Sequence, residues 1–395
     1  MRDVVILSAV RTPIGNFGGA LKELTAVELG VMAVKESLRR AGVAPRLVEE
    51  VIFASARQAG TGPNIARHIA YKSDIPQETP AFTVNKACGS GLKSIILAYQ
   101  AIVLGDANCI VAGGTESMSN VPYLLDKARF GGYRLGDGGL IDAMYRDGYF
   151  CPLANMLMGR TAENLAEQYG ILRQEQDEYA LLSHRRAVEA TKEGRFKGEI
   201  VPVETPWGKK EMVLVEADEH PREDTSLEKL AKLKPVFKEE GTITAGNSSA
   251  ITDAAASLVV ASADFAHQLK LKPLAQMVSY AVVGVDPKIM GIGPVPATRK
   301  LLKKTNTTLE DYELFEYNEA FAAQMLAVER ELELDRSRVN VNGGAIALGH
   351  PTGATGARIV TTLLHEMKRR GTKMGLASLC VSGGMGLAVS FENAP

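Results

Sequence analysis

The chain has 395 residues, more than one hydrophobic core usually serves, so two or three subdomains are expected. Hydrophobic residues make up 46% and charged residues 23%, which excludes a disordered, fibrous or disulfide-stapled chain. Lys+Arg 45 against Asp+Glu 46 leaves a formal net charge of -1. Without a global field to collect nucleic acid or anionic membrane, neither is an expected partner, and any anionic ligand needs a local site.

The opening run Val4 to Val10 reads as a buried strand; it is too short, and too soon followed by Arg11-Thr12-Pro13, for a signal peptide. No other stretch appears apolar for long enough to span a bilayer, so a cytoplasmic location is expected. Short apolar runs such as Val51–Ala54 and Cys109–Ala112 alternate with segments of helical period, of which Leu92, Ile95, Ile96, Tyr99, Ile102 and Val103 mark one. That alternation predicts an α/β fold whose sheets are buried on both faces. Cys88, Cys109, Cys151 and Cys380 form no C-x-x-C pair and no zinc-type spacing, so reduced thiols and no metal site are expected.

A faint internal repeat organises the rest. Val84-Asn85 leads through a glycine-bearing turn and a helix to the strand before Gly113-Gly114, and Val341-Asn342 leads likewise to the strand before Gly383-Gly384. Val4 to Pro13 is echoed by Val278 to Pro287. Two copies of one α/β unit account for the length. Between them, 121–247 has a different character, with glycine pairs, the single Trp207, charge-dense stretches, and helices around Ala162–Tyr169 and Gln174–Glu193. Structureless loops of that length are rare, so this is read as an inserted lobe carrying binding surface. The expected division is 1–120 with 248–270 as one half, 121–247 as the insertion, and 271–395 as the other half.

Four segments carry chemistry. In Asn85-Lys86-Ala87-Cys88-Gly89-Ser90-Gly91 a cysteine sits between a strand and a helix start, where the helix N-terminus favours thiolate and lowers the pKa from about 8.5 toward neutrality. Flanking glycines admit a substrate carbonyl to backbone N–H groups. The bland alternative is a small buried hydrophobe, the reading that Cys109 receives. Around His350, Gly343, Gly344, Gly349, Gly353 and Gly356 are costly in backbone entropy unless close approach is needed, which makes His350 a candidate base. The other histidines sit in ordinary contexts, and the segment lacks a P-loop ending or a dinucleotide fingerprint. Cys380 ends the strand from Met374 at a tight turn, Ser382-Gly383-Gly384, into Leu387–Phe391. Asn318, in Asn318-Glu319-Ala320-Phe321-Ala322, lies between a strand and a helix, with an ordinary N-cap as its alternative.

These segments, in this order, resemble the thiolases, and the likeness runs from Arg2 to Phe391. The resemblance implies two similar α/β halves in five layers, α-β-α-β-α, with a loop domain inserted in the first. It implies Cys88 as the acylated nucleophile, His350 as acceptor of its proton, Cys380 as the acid/base toward substrate carbon or CoA thiol, and Asn318 as holder of a water beside His350. Backbone N–H groups of Cys88 and Ser382 are the implied oxyanion donors, and Ser249 and Arg222 the implied CoA contacts. For Ser248 and Ser249 the alternative is capping of a helix from Thr252 to Val260. Coenzyme A enters as substrate and product, with no permanently bound cofactor, and a homodimer or homotetramer follows from likeness.

Two departures stand out. Leu157-Met158-Gly159 has leucine where many short-chain members have histidine, and Ser382-Gly383-Gly384 has serine where three glycines are usual, so a less permissive turn is expected. The competing functions are a β-ketoacyl synthase, against which Cys380 argues, and a non-catalytic lipid-binding relative, against which Cys88 and His350 argue.

Overall fold

The computed structural model describes residues 2–208 and 211–394; the terminal residues 1 and 395 assigned to the two halves lie outside the described residues. Val4–Arg11 forms the first strand, β1, buried along its whole length, as a run of apolar residues on both faces requires. It is followed by β2 (Glu50–Ala54), β3 (Ala81–Val84), β4 (Cys109–Ser117) and β5 (Thr252–Ser262), arranged β3-β2-β4-β5-β1. The second half repeats the plan with β6 (Ala275–Gly284), β7 (Leu314–Tyr317), β8 (Met374–Val381) and β9 (Met385–Asn393). Their order is β7-β8-β9-β6, and Val339 bridges to Phe315 in the place that β3 holds in the first half. The units meet edge to edge, Val5 opposite Gln276 and Ile6 opposite Ala275.

Alternation along β1 shows the layering. Val4 and Ile6 belong to a core shared with Leu379, Val381 and Val389 of the second half, whereas Val5 and Leu7 face the opposite side. The shared core is filled by two helices, α3 (Ser90–Leu104) and α8 (Thr352–Arg370). Helices α1 (Ala26–Ala41) and α2 (Ile65–Lys72) cover the outer face of the first sheet. On the far side of the second sheet lie α6 (Pro294–Thr305) and α7 (Ala322–Leu332), joined by α4 (Met158–Tyr169) from the insertion. The result is five layers, α-β-α-β-α. The insertion also contributes α5 (Arg173–Lys192) and the hairpin Val203–Trp207 with Glu211–Val215, and the chain then returns through β5 to the middle of the first sheet.

Two expectations are corrected. Thr252–Ser262 is a strand, so Ser248 and Ser249 cap no helix; every residue in it is buried, which is why its small and apolar residues show no strand-like alternation. The stretch Ala87–Leu104 does reach the length and hydropathy of a membrane span. Here those apolar residues pack between two sheets, as the core helix of a doubled α/β fold demands.

Candidate active site

Cys88 is presented by a strained turn. Ala87, immediately before it, has φ 46°, a left-handed conformation that non-glycine residues rarely adopt. The turn is tied by Asn85 Oδ1 accepting from Ala87 N at 3.0 Å and by Ser90 Oγ accepting from Lys86 N at 2.7 Å. Beyond Gly89 the helix α3 begins. Cys88 is half-buried, and burial pushes its thiol above the ordinary value. The Arg57 charge and the nearby backbone N–H groups of Ser382 and Cys88 pull the other way without prevailing. Burial thus opposes the thiolate that the helix start was expected to favour.

His350 precedes α8, whose first turn lies against that of α3. A Cβ on Gly91 would stand 2.8 Å from Gly353 O, and one on Gly356 only 2.1 Å from Leu92 N, so glycine permits the crossing that brings both helix starts together. His350 Nδ1 is 2.7 Å from Thr355 Oγ1, whose own proton goes to Pro351 O at 2.9 Å. Thr355 must therefore accept, placing the imidazole proton on Nδ1 and the free lone pair on Nε2. Nε2 is buried with no partner among the described residues. Burial, then the Arg358 and Arg57 charges, lower the pKa to about 3, so the ring is neutral and free to accept.

Cys380, at the end of β8, is 1% exposed. Burial raises its pKa first, and the nearby Cys88 sulfur raises it further. The left-handed positions of the following turn are Gly383 (φ 85°) and Gly384 (φ 82°). Ser382 carries no such angle, so serine there leaves the turn intact and its N–H on Cys88. Asn318 is fully buried, and both polar atoms of its amide lack partners among the described residues. It is not an N-cap, since Phe321 holds that position for α7. An orphaned buried amide beside Ser378, whose carbonyl accepts from Asn318 N at 3.0 Å, is suited to a small polar ligand.

Ser248 Oγ donates to Thr244 O at 2.7 Å, whereas the Ser249 hydroxyl makes no hydrogen bond among the described residues and only its N–H is used, on Ala320 O at 3.0 Å. Ser249 thus borders the Asn318 segment with a free hydroxyl. Arg222 lies outside this cluster. It lines an open depression with His184, Arg185 and Lys192, and its N–H donates to His184 Nδ1 at 3.1 Å. Leu157 is the N-cap residue of α4 and makes no capping bond.

Sequence reasoning missed the residues that hold these groups in place. Buried Glu116 accepts from Ser55 Oγ, from the N–H groups of Ala56, Arg57 and Gly353, and from Thr352 Oγ1, joining β2 to the start of α8. Glu319 accepts from Tyr179, Ser183, Asn340 and Ile346 N, joining α5 to the one-turn helix Ala345–Leu348 before His350. A single acidic residue inside an apolar strand such as Cys109–Ser117 was the one available signal.

A family model for the thiolase N-terminal domain matches residues 4–264, and one for the thiolase C-terminal domain matches residues 271–393. An acetyl-CoA acetyltransferase of Cupriavidus necator is 52% identical over 99% of this chain and 100% of its own. A probable acetyl-CoA acyltransferase of Staphylococcus aureus is 50% identical over 98% of each. Among solved structures, the Bacillus anthracis acetyl-CoA acetyltransferase superposes with TM-score 0.97 at 49% identity, covering 100% of this chain and 99% of that one. Human mitochondrial 3-ketoacyl-CoA thiolase in complex with CoA gives TM-score 0.96 at 44% identity, covering 100% and 98%. With both halves matched and relatives aligned over nearly their full length, the chain belongs to the thiolase family.

Proposed function

We propose that this chain is an acyl-CoA acyltransferase that cleaves 3-ketoacyl-CoA with CoA to acetyl-CoA and a shortened acyl-CoA, and runs the reverse condensation of two acetyl-CoA molecules. The observation that carries the reading is that the helix start after Cys88 packs against the one after His350, whose Nε2 is buried and free. His350 Nε2 takes the Cys88 proton as sulfur attacks the keto carbon, and the N–H groups of Cys88 and Ser382 receive the resulting oxyanion. The bond to the α-carbon breaks; Cys380 protonates that carbon, and acetyl-CoA leaves. A CoA thiol then attacks the thioester, completing a ping-pong cycle. Asn318, through a water shared with His350, holds the enolate oxygen. A second thiol at this position favours carbon acid/base work over the Cys-His-His or Cys-His-Asn set of a β-ketoacyl synthase.

Ser249 fits a pantetheine contact because its hydroxyl is free beside Ala320, and Arg222 a more distant contact to the nucleotide end. The insertion 121–247 is assigned to CoA binding and subunit contacts. Homo-oligomerisation is supported by the exposed Phe82 on edge strand β3 and by Phe130 and Leu135, which are 93% and 94% exposed. Four unpaired cysteines fit a reducing, cytoplasmic setting. The test is direct: purified protein with acetoacetyl-CoA and CoA must yield two acetyl-CoA, and a series of longer 3-ketoacyl-CoAs sets the chain preference. No acetyl-CoA from any member of the series refutes the proposal.

A further inference from the structure

Arg57 is a buried cation without an anion. It is 7% exposed, and its Nε has no partner among the described residues. Its Nη1 reaches only the carbonyl of Asp147 at 3.5 Å. The guanidinium lies against Gly148, where a Cβ would meet Nη2 at 2.3 Å, Cζ at 2.4 Å and Nε at 2.5 Å, and its Cζ stands 5.8 Å from the Tyr149 ring centre. The residues it leans on form a π-helical turn, Tyr145–Tyr149, a rare geometry found mostly at functional sites. Buried Glu116 is committed to five donors, one of them the Arg57 backbone N–H rather than its side chain.

The position is at the reaction centre. Arg57 lies beyond the exit of β2 and Cys88 beyond the exit of β3; these strands are parallel neighbours, and Asn85 Nδ2 donates to Ala56 O at 3.3 Å to hold the two exits together. The Arg57 charge reaches both Cys88 and His350. Ser249, with its free hydroxyl, lies beside Ala320 and the Asn318 segment of the second half. An acyl chain carried on Cys88 lies within the field of the Arg57 charge. An uncompensated buried charge is costly, and the planar fork of arginine matches a carboxylate in two parallel hydrogen bonds.

Resting on the thiolysis reading above, we propose that Arg57 is a specificity-determining residue that receives a carboxylate at the far end of the acyl chain, so that 3-ketoacyl-CoAs ending in a carboxylate are preferred over those ending in a methyl group. The test compares kcat/KM for thiolysis of 3-ketoadipyl-CoA and 3-ketohexanoyl-CoA, which share chain length and differ at the terminus. Wild-type protein is expected to favour the carboxylated substrate by about tenfold or more, in line with a charge-assisted pair. Arg57→Met collapses that ratio toward one, mainly through KM, and Arg57→Lys restores part of it. A wild-type preference for the methyl-ended substrate, or equal rates on both, overturns the inference without any variant. So does an Arg57→Met that slows both substrates alike and leaves their ratio intact. Failure of the wild type on both substrates and on acetoacetyl-CoA refutes the thiolysis reading instead.

Discussion

Thr355→Val isolates the tautomer on which the proposed base depends. In the wild type, Thr355 Oγ1 accepts from His350 Nδ1–H at 2.7 Å while donating to Pro351 O at 2.9 Å. Valine keeps the shape and deletes the oxygen, leaving a buried Nδ1–H without an acceptor, which costs about 1–3 kcal/mol. The ring escapes that cost by moving the proton to Nε2, which is then no longer a base. If the tautomer preference is lost by that amount, acylation slows between roughly fivefold and a hundredfold, at about 1.4 kcal/mol per decade. Rapid-quench mass spectrometry of the acyl-enzyme measures this step apart from product release. Thr355→Ser, which retains the hydroxyl, should recover most of the rate. An unchanged acylation rate in Thr355→Val, or a slow Thr355→Ser, refutes the reasoning.

Three further outcomes are expected. Because burial raises the Cys88 thiol above its ordinary range, its alkylation by iodoacetamide should keep rising with pH well into the alkaline range; a plateau already reached at neutral pH shows a resting thiolate instead. Buried His184 and half-buried His220 are held at about 4 by desolvation, against 6.5 when exposed, so the unfolded chain binds protons that the folded one refuses. Their contribution to stability is complete above 6.5 and is lost as pH falls toward about 4, so thermal midpoints should decline across that window, and midpoints rising on acidification contradict it. Gly356→Ala puts a carbon 2.1 Å from Leu92 N and should cost about 1–3 kcal/mol in urea titrations while lowering kcat by spreading α3 from α8. Wild-type values for both quantities show that the helix crossing is not tight.

Much of the fold was visible in advance because the duplicated unit repeats both its apolar strands and its glycine turns; Val84–Gly91 and Val341–Gly353 reveal the central helices before any coordinate does. Thr252–Ser262 was misjudged because a strand buried on both faces loses the period-two signal. The turns that hold Cys88, His350 and Cys380 were legible because costly glycines surround reactive side chains at the ends of strands and helices. Thr355, Glu116 and Arg57 were not, since each acts as a single polar residue whose meaning depends on which atoms stay unpaired. The burial that opposes a thiolate at Cys88 was hidden for a related reason: a helix start is written in sequence, and desolvation is not.

The central claim is that one sulfur carries the acyl group and a second handles the proton on carbon. Peptide mapping by mass spectrometry after brief incubation of the Cys380→Ser variant with acetyl-CoA tests it most directly. Acetyl mass confined to the peptide bearing Cys88, with no acetoacetyl-CoA formed, is the predicted result; an unmodified Cys88, or acetyl carried on another residue, contradicts it.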